Sequence, residues 1–546
     1  MYVQSVVLCL VLMAACQSPA APAPDRSTGP AGSSPDPKVR RLVMAIPGPG
    51  VESNSPRLNS VTDQWQIRPM YEHLIGIDAK SGQLVPQLAT AWNVEPDGKS
   101  FRFKLRQGVQ FHGGHGEFTA KDVVFSWQDT TKDDAVGAQN VLLRTVVDEI
   151  QVVNDHEVVF SNNRADVDFE SVVSEIRAGL MIMSKNHFDA IGDPTPQGVP
   201  LAGTAPYQFK ERAQGSFVRY ERVPFKHWRV TPDFPEFEFR YQNEASGRLA
   251  GLLAGEIQIT TLPTDLLPQA ESQGSKIILG RVQSVRTWLS LQCCFVNTQT
   301  GEYPVHPNSP LLDVRVRKAL NKAVNRAELN RAFFAGKGEV MYLNHFHPTR
   351  EGWDPSWVTR FQDEYGYDVQ AARALLAEAG QSNLRTNVII RPLPNFSGAE
   401  DVSEAIAGYW RAIGVDVNLM AVDGAEISTA QRTLRYDNHF LIVGTSSPQT
   451  NGFGVYATSI FGNNLGFQHP DLQAGMREIQ VQLDSRRRET MWRALGNRAY
   501  ELHGDIPLFW LPAEAVVDPK VVSDYVWPGS ITGTWTNPEY ITATRS

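Results

Sequence analysis

The chain has 546 residues, 42% of them apolar and 20% charged, with a formal net charge of −8 at pH 7. That length exceeds what one hydrophobic core organises, since domains settle near about 100 to 200 residues, so roughly three compact units are expected. The acidic balance and the scatter of Lys and Arg along the chain argue against nucleic acid or anionic lipid as the principal partner, because either needs a concentrated basic surface.

The first element is apolar. Val6 to Ala15 is an uncharged run, too short for the roughly 20 helical residues that cross a bilayer. It ends in Ala14-Ala15-Cys16, small residues of the kind at which a signal peptide is cut. Small-small-Cys resembles the lipobox of bacterial lipoproteins, although Met13 stands where Leu is usual. Residues 1–15 are therefore expected to be a signal peptide, with Cys16 the lipid-modified first residue of the mature chain. The other reading is an ordinary secretory signal in which Cys16 is incidental. Gln17 to Pro37 is mostly Pro, Ala, Ser and Gly, with too little to bury, so 16–38 is expected to form a flexible tether.

The folded body is expected to open with a strand at Arg41–Ile46. Thr119 and Asp122 form a capping box at the head of TAKDVVFSWQ, where Val123, Val124 and Trp127 can share one buried face. A helix from Ser246 to Ala254 stops at Gly255 and is followed by a strand, Ile257 to Ile259. Cys293 and Cys294 are the only cysteines after Cys16; they read as two small buried residues on a strand, with a vicinal disulfide as the alternative. Asp313 can cap a single helix, VRVRKALNKAVNRAEL, and Asp368 and Gly380 bracket VQAARALLAEA. Trp410 falls in phase with Ile406 and Ile413 on a helix ended by Gly414, after which Val415, Val417 and Leu419 alternate as a strand. Helices and strands interleave throughout, so the class is α/β.

Several of these segments carry a family likeness. Leu84 to Trp127 holds, in order, Leu88-Ala89-Thr90-Ala91-Trp92, the turn Asp97-Gly98, Phe103-Lys104-Leu105-Arg106, Phe111-His112-Gly113-Gly114 and Thr119-Ala120-Lys121-Asp122-Val123. With Tyr71-Glu72-His73-Leu74, GTAPYQF at Gly203 to Phe209, and IPLFWLPAEAVV at Ile506 to Val517, this resembles the family 5 extracellular solute-binding proteins. Ala205 stands where that family usually has a glycine. The resemblance implies a two-lobed periplasmic-binding-protein fold with a hinge and a subdomain inserted in the first lobe. Carried onto this chain, lobe I is 39–70, 201–287 and 506–546, the insert is 71–200, and lobe II is 288–505. The crossings near Val285 to Trp288 and Asp505 to Leu508 would be the hinge.

Catalytic constellations are missing from the sequence: there is no GxSxG elbow, HExxH, Walker A or strand-following GxGxxG. His112 and His115 sit inside the family's structural turn. His345 and His347, two apart, would face one side of an extended segment but lack a third ligand of known placement. Aromatic residues are the better candidates for ligand contact. Trp65 lies just before the insert and Trp288 at the proposed hinge; the resemblance implies that such segments line the cleft, where flat side chains clamp a ligand and exclude water, with core packing the alternative for each. Asn438 to Pro470 contains no Asp, Glu, Lys or Arg. Peptide binders of this family usually carry an aspartate there to pair with the ligand's ammonium group; here the matching stretch is GTSSPQT, Gly444 to Thr450. An ammonium left unpaired in a dry cleft costs several kcal/mol, so a neutral, hydroxyl-rich or capped ligand is expected, held by Thr445, Ser446, Ser447 and Asn451; the alternative is a loop that never touches ligand.

These readings combine into the lipid-anchored substrate-binding protein of an ABC importer, at the periplasm or cell surface. It would capture a peptide-like or other small polar solute between two lobes and deliver it to a permease and ATPase complex. No cofactor, resident metal, catalysis or nucleic-acid partner is expected, and the protein should be a monomer. The alternatives are a metal-chelate or nickel binder using His345 and His347, a secreted glycan-processing enzyme, and an adhesin or signalling receptor on the same fold.

Overall fold

The computed structural model describes residues 39–545 except 60–62, 167, 196–197, 298–299, 392, 394–397, 423, 436, 447–452, 460–463 and 529–535. Cys16 and the 16–38 tether lie outside the described residues.

The strand Arg41–Ile46 reads LVMAI after its first residue, and every one of those five side chains is buried. A continuous apolar run of this kind suits a strand covered on both faces. It runs parallel to Glu236–Tyr241 on one side and to Ile259–Thr260 on the other. From it extends a single mixed sheet, in the order Asp416–Ala421, Arg385–Ile390, His439–Ser446, Lys276–Gln292, Asp505–Val517, Ile259–Thr260, Arg41–Ile46, Glu236–Tyr241, Phe217–Arg222 and Tyr207–Ala213. Two members are unusually long, Lys276–Gln292 with 17 residues and Asp505–Val517 with 13.

Those two strands join separate hydrophobic cores. Ile278, Ala515 and Val517 belong to a first core with Leu42, Met44, Phe237, Phe239 and Trp527. Leu289, Leu291, Ile506 and Leu508 belong to the largest core, with Leu320, Trp357 and Trp410. Between these ends the pairing of the two strands is irregular, shifting at Leu279/Gln283, Gln283/Val285 and Thr287/Trp288. A third core, with Phe101, Phe103, Val123 and Phe160, lies under a four-stranded antiparallel sheet, Ala89–Val94, Ser100–Leu105, Glu157–Asn162 and Val147–Asn154.

Local signals set most helix ends. The capping box of Thr119 and Asp122 is made at the head of Ala120–Thr130. That helix is buried on two sides, which departs from the single expected face. Val123 enters the third core with Val124 and Trp127 half-buried against it, whereas Phe125 enters the first core. Asp368 accepts from the Ala371 N–H at the start of Val369–Glu378, and Gly380 follows with φ 68°. Trp410 is fully buried and donates to the Leu320 carbonyl at 2.9 Å.

Three expectations are corrected. The segment after Asp313 forms two helices, Val314–Lys322 and Arg326–Phe334, because the Asn325 side chain accepts from the Glu328 N–H and starts a new helix. The strand expected at Ile257–Ile259 is reduced to Ile259–Thr260; the side-chain oxygen of Gln258 takes the Val43 N–H at 2.9 Å, where a backbone carbonyl would otherwise continue the ladder. Cys293 and Cys294 lie just beyond the end of Lys276–Gln292 and are bonded to each other, both fully buried in the largest core.

Met70 and Gly203 meet in a close backbone approach. A Cβ at Gly203 would fall 1.8 Å from the Met70 carbonyl oxygen, so only glycine fits. Ala205, the departure from the family's glycine, is not among the residues with positive φ, and its carbonyl receives a hydrogen bond from the His112 ring at 2.8 Å. His227 makes the same contact to the Thr204 carbonyl, also at 2.8 Å. The histidine of FHGG is thus a brace for this return, held neutral because burial pulls its pKa down to about 4.

Candidate ligand cleft

The irregular middle of the two long strands gathers a set of polar and aromatic side chains. Arg286 pairs in register with Thr445 on one side and Trp510 on the other. Alternation along the strand puts Arg286 and Trp288 on the same face, and the guanidinium lies 5.1 Å from the Trp288 ring and 6.0 Å from that of Tyr456. Tyr456 ends the short helix Phe453–Tyr456 and meets Trp288 edge to face at 5.1 Å. His345 closes the group, edge-on to Trp288 and stacked on Tyr456, each at 5.8 Å. His347 sits against Trp510 at 5.1 Å with Thr349 on its Nδ1.

Burial sets the charge states. Desolvation, aided by the cationic Arg286, drives the His345 pKa well below its ordinary value, and desolvation with Arg350 takes His347 down to about 4. Both rings are neutral at physiological pH. Arg286 is pulled down to about 10, first by desolvation and then by Arg350 and Arg177, yet remains charged. Asp505, at the start of its strand, is raised to about 6 by burial, against a 2.8 Å hydrogen bond from Asn344 and the field of Arg286. Arg391, which follows the strand Arg385–Ile390, acts on the Tyr456 phenol together with Arg286. Nε1 of Trp288, both ring nitrogens of His345 and Nε of Arg391 are buried without a hydrogen-bond partner.

The structure treats the expected site residues differently. Trp288 is at the centre of this group and fully buried. Trp65 is in the first core, 6% exposed, edge-on to Phe239 at 4.9 Å and Tyr241 at 6.2 Å; its contacts are those of core packing. Thr445 and Ser446 close the strand His439–Ser446 beside Arg286 and Val285, but their side chains, and all of Ser447 and Asn451, fall outside the described residues. His345 and His347 are not on an extended segment: His345 has φ 72°, and the two rings pack against different aromatic partners. Among the described residues no group of three or more His, Cys, Asp or Glu could hold a metal.

Sequence reasoning missed Arg286, Arg350, Arg391 and Tyr456. One signal for Arg286 was available: a lone arginine inside SVRTWLSL, an otherwise uncharged strand, is a buried charge that demands a reason.

A cleft built where two long strands pass between separate cores defines a two-lobed α/β binding protein. Residues 83–464 match the sequence model of the bacterial extracellular solute-binding proteins, family 5 (middle region), and the chain belongs to that family. The dipeptide-binding protein of Escherichia coli (strain K12) is 27% identical over 384 residues, covering 66% of this chain and 67% of its own. The structure of HbpA2 from Haemophilus parasuis superposes with a TM-score of 0.73 at 21% identity, over 92% of this chain and 100% of that one. NikA from Brucella suis, in complex with Fe(III)-EDTA, gives 0.70 at 21% identity over 92% and 100%.

Proposed function

We propose that this protein is the exported, lipid-anchored receptor of an ABC importer, capturing a small solute between two lobes and handing it to the permease. Lobe I would be 39–70, 201–287 and 506–546, lobe II 288–505, and the insert 71–200; the three separate cores support this division. The observation that carries the reading is the family match across 83–464, joined to a polar and aromatic cluster at the point where the two long strands change core. Irregular pairing there supports a hinge, since a regular ladder resists bending and bulges relieve it. Ligand would bridge both lobes and shift the population toward closure.

Export rests on the apolar run ending in Ala14-Ala15-Cys16, and anchoring on the tether that follows. Among the described residues no helix is long and apolar enough to cross a membrane. The test is Cys16→Ala in the native host. The protein should move from the membrane fraction to a soluble or unprocessed form, and uptake of the co-purifying solute, identified by native mass spectrometry, should fall. Persistence in the membrane fraction with an unmodified amino terminus would exclude the lipid anchor.

A further inference from the structure

His345 belongs to two places at once. One is the aromatic cluster with Trp288 and Tyr456. The other is a cavity of about 30 Å³, lined also by Asn344, Tyr365, Phe453, Phe467 and Asp505. That volume takes one or two groups of water size, since about 10–15 Å³ suffices for each. Its walls are mostly apolar, and the polar side-chain atoms gather on few residues. Asn344 and His345 are 3% and 5% exposed. Among the described residues, Oδ1 of Asn344 and both ring nitrogens of His345 have no hydrogen-bond partner. The Asn344 amide nitrogen is already given to Asp505 at 2.8 Å, and the Tyr365 hydroxyl to the Tyr500 carbonyl at 2.6 Å. An amide oxygen, the acceptor nitrogen of a neutral imidazole and a carboxylate therefore face the cavity, against one free side-chain donor, the imidazole N–H.

Asp505 is the only charged residue among the described ones that line the cavity. Arg286 acts on it from outside the lining, and burial still pushes the carboxyl up to about 6, so its charge lacks a full counterpart. A primary ammonium supplies what is missing: one positive charge, and three N–H donors for three acceptors. Such charge-assisted bonds are the stronger kind. Size narrows the choice. A cavity this small admits the ammonium and a methylene or two, whereas a branched carbon brings substituents that would overpack it. We propose that the cavity is a subsite for an unbranched terminal ammonium of the solute, bound by Asp505, Asn344 and His345 while the rest of the solute lies against Trp288 and Tyr456. This rests on the solute-binding reading and replaces the neutral ligand expected from sequence with one that carries a cationic end.

The experiment is a tryptophan-fluorescence titration of the full chain, purified in detergent, with ethylammonium, isopropylammonium and ethanol at constant ionic strength. The free energy a ligand gains per heavy atom is bounded, so ethylammonium should bind no tighter than about millimolar. It should bind at least about 10-fold more tightly than either comparison probe, isopropylammonium failing on shape and ethanol on charge. Asp505→Asn removes the charge and keeps a partner for Asn344; it should weaken ethylammonium about 10-fold or more. Ala457→Val, which fills the cavity from its apolar wall, should weaken it by a similar factor. Equal behaviour of the three probes, absence of binding included, overturns the proposal. Undiminished binding in either variant does so too, because the amine then sits elsewhere. A co-purifying solute without an unbranched primary amine, identified by native mass spectrometry, also overturns it; each of these outcomes leaves the importer reading standing.

Discussion

At Asp505, burial and hydrogen bonding oppose each other. Burial raises its pKa to about 6, against the Asn344 amide at 2.8 Å and the field of Arg286; in an unfolded chain an aspartate titrates near about 3.9. Between those values the folded state binds more protons than the unfolded one, so the group's contribution to stability is fully present below about pH 4 and is lost as pH rises through about 6. Asp505→Asn removes the titration while keeping a partner for Asn344. Denaturant unfolding of the variant should match wild type near pH 4 and show a gain of about 2–3 kcal/mol above pH 6, the free energy of about two pK units. A difference that stays constant from pH 4 to 7 would show that Asp505 is not the titrating group.

Helix ends were legible in the sequence because they depend on residues within a few positions of each other. The capping box at Thr119 and the brackets at Asp368 and Gly380 are of this kind. The break at Asn325 uses the same chemistry but was hidden inside a continuous apolar period, Val316, Leu320, Ala323 and Ala327. With the cap accepting from the Glu328 N–H, Asn325→Ala should cost about 1 kcal/mol, the usual loss at an N-cap, with ligand affinity unchanged. A melting temperature equal to wild type would show that the break is set by packing alone. The cleft was less legible for a physical reason. Arg286 acquires its neighbours only through pairing with Thr445 and Trp510, more than 150 and 200 residues away, and local pattern carries no record of such pairing. The opposite fate of Trp65, drawn into the first core by Phe239 and Tyr241, is equally non-local. The likeness to the family identified the fold, because its glycines and turns are structural.

On the scale of the whole molecule, the hairpin joining Ala89–Val94 to Ser100–Leu105 reaches from the third core to the turn between the helices Pro470–Gln480 and Ser485–Leu502. A Cβ at Gly98, at the tip, would lie 2.8 Å from Cδ1 of Leu483, which sits between the helices Pro470–Gln480 and Ser485–Leu502. Charges cross the same gap, Asp168 acting on Arg350 and Arg488 on Glu170. Leu483 is 45% exposed, so it adds little to either core, and its contact with the hairpin matters only when the two bodies are together. In the proposed closure of the two lobes, such a contact favours the closed state without stabilising folding. Burying part of a leucine contributes about 1 kcal/mol, and an apparent affinity scales with the population of the competent state. Leu483→Asp should therefore raise the dissociation rate of the co-purifying solute about 5- to 10-fold, while the melting temperature of the ligand-free protein stays within about 1 °C, as for other surface substitutions. Stopped-flow tryptophan fluorescence reads the rate through Trp288 and Trp510. An unchanged rate would remove the hairpin from the closure mechanism, and a lowered melting temperature would make Leu483 part of the folded core instead.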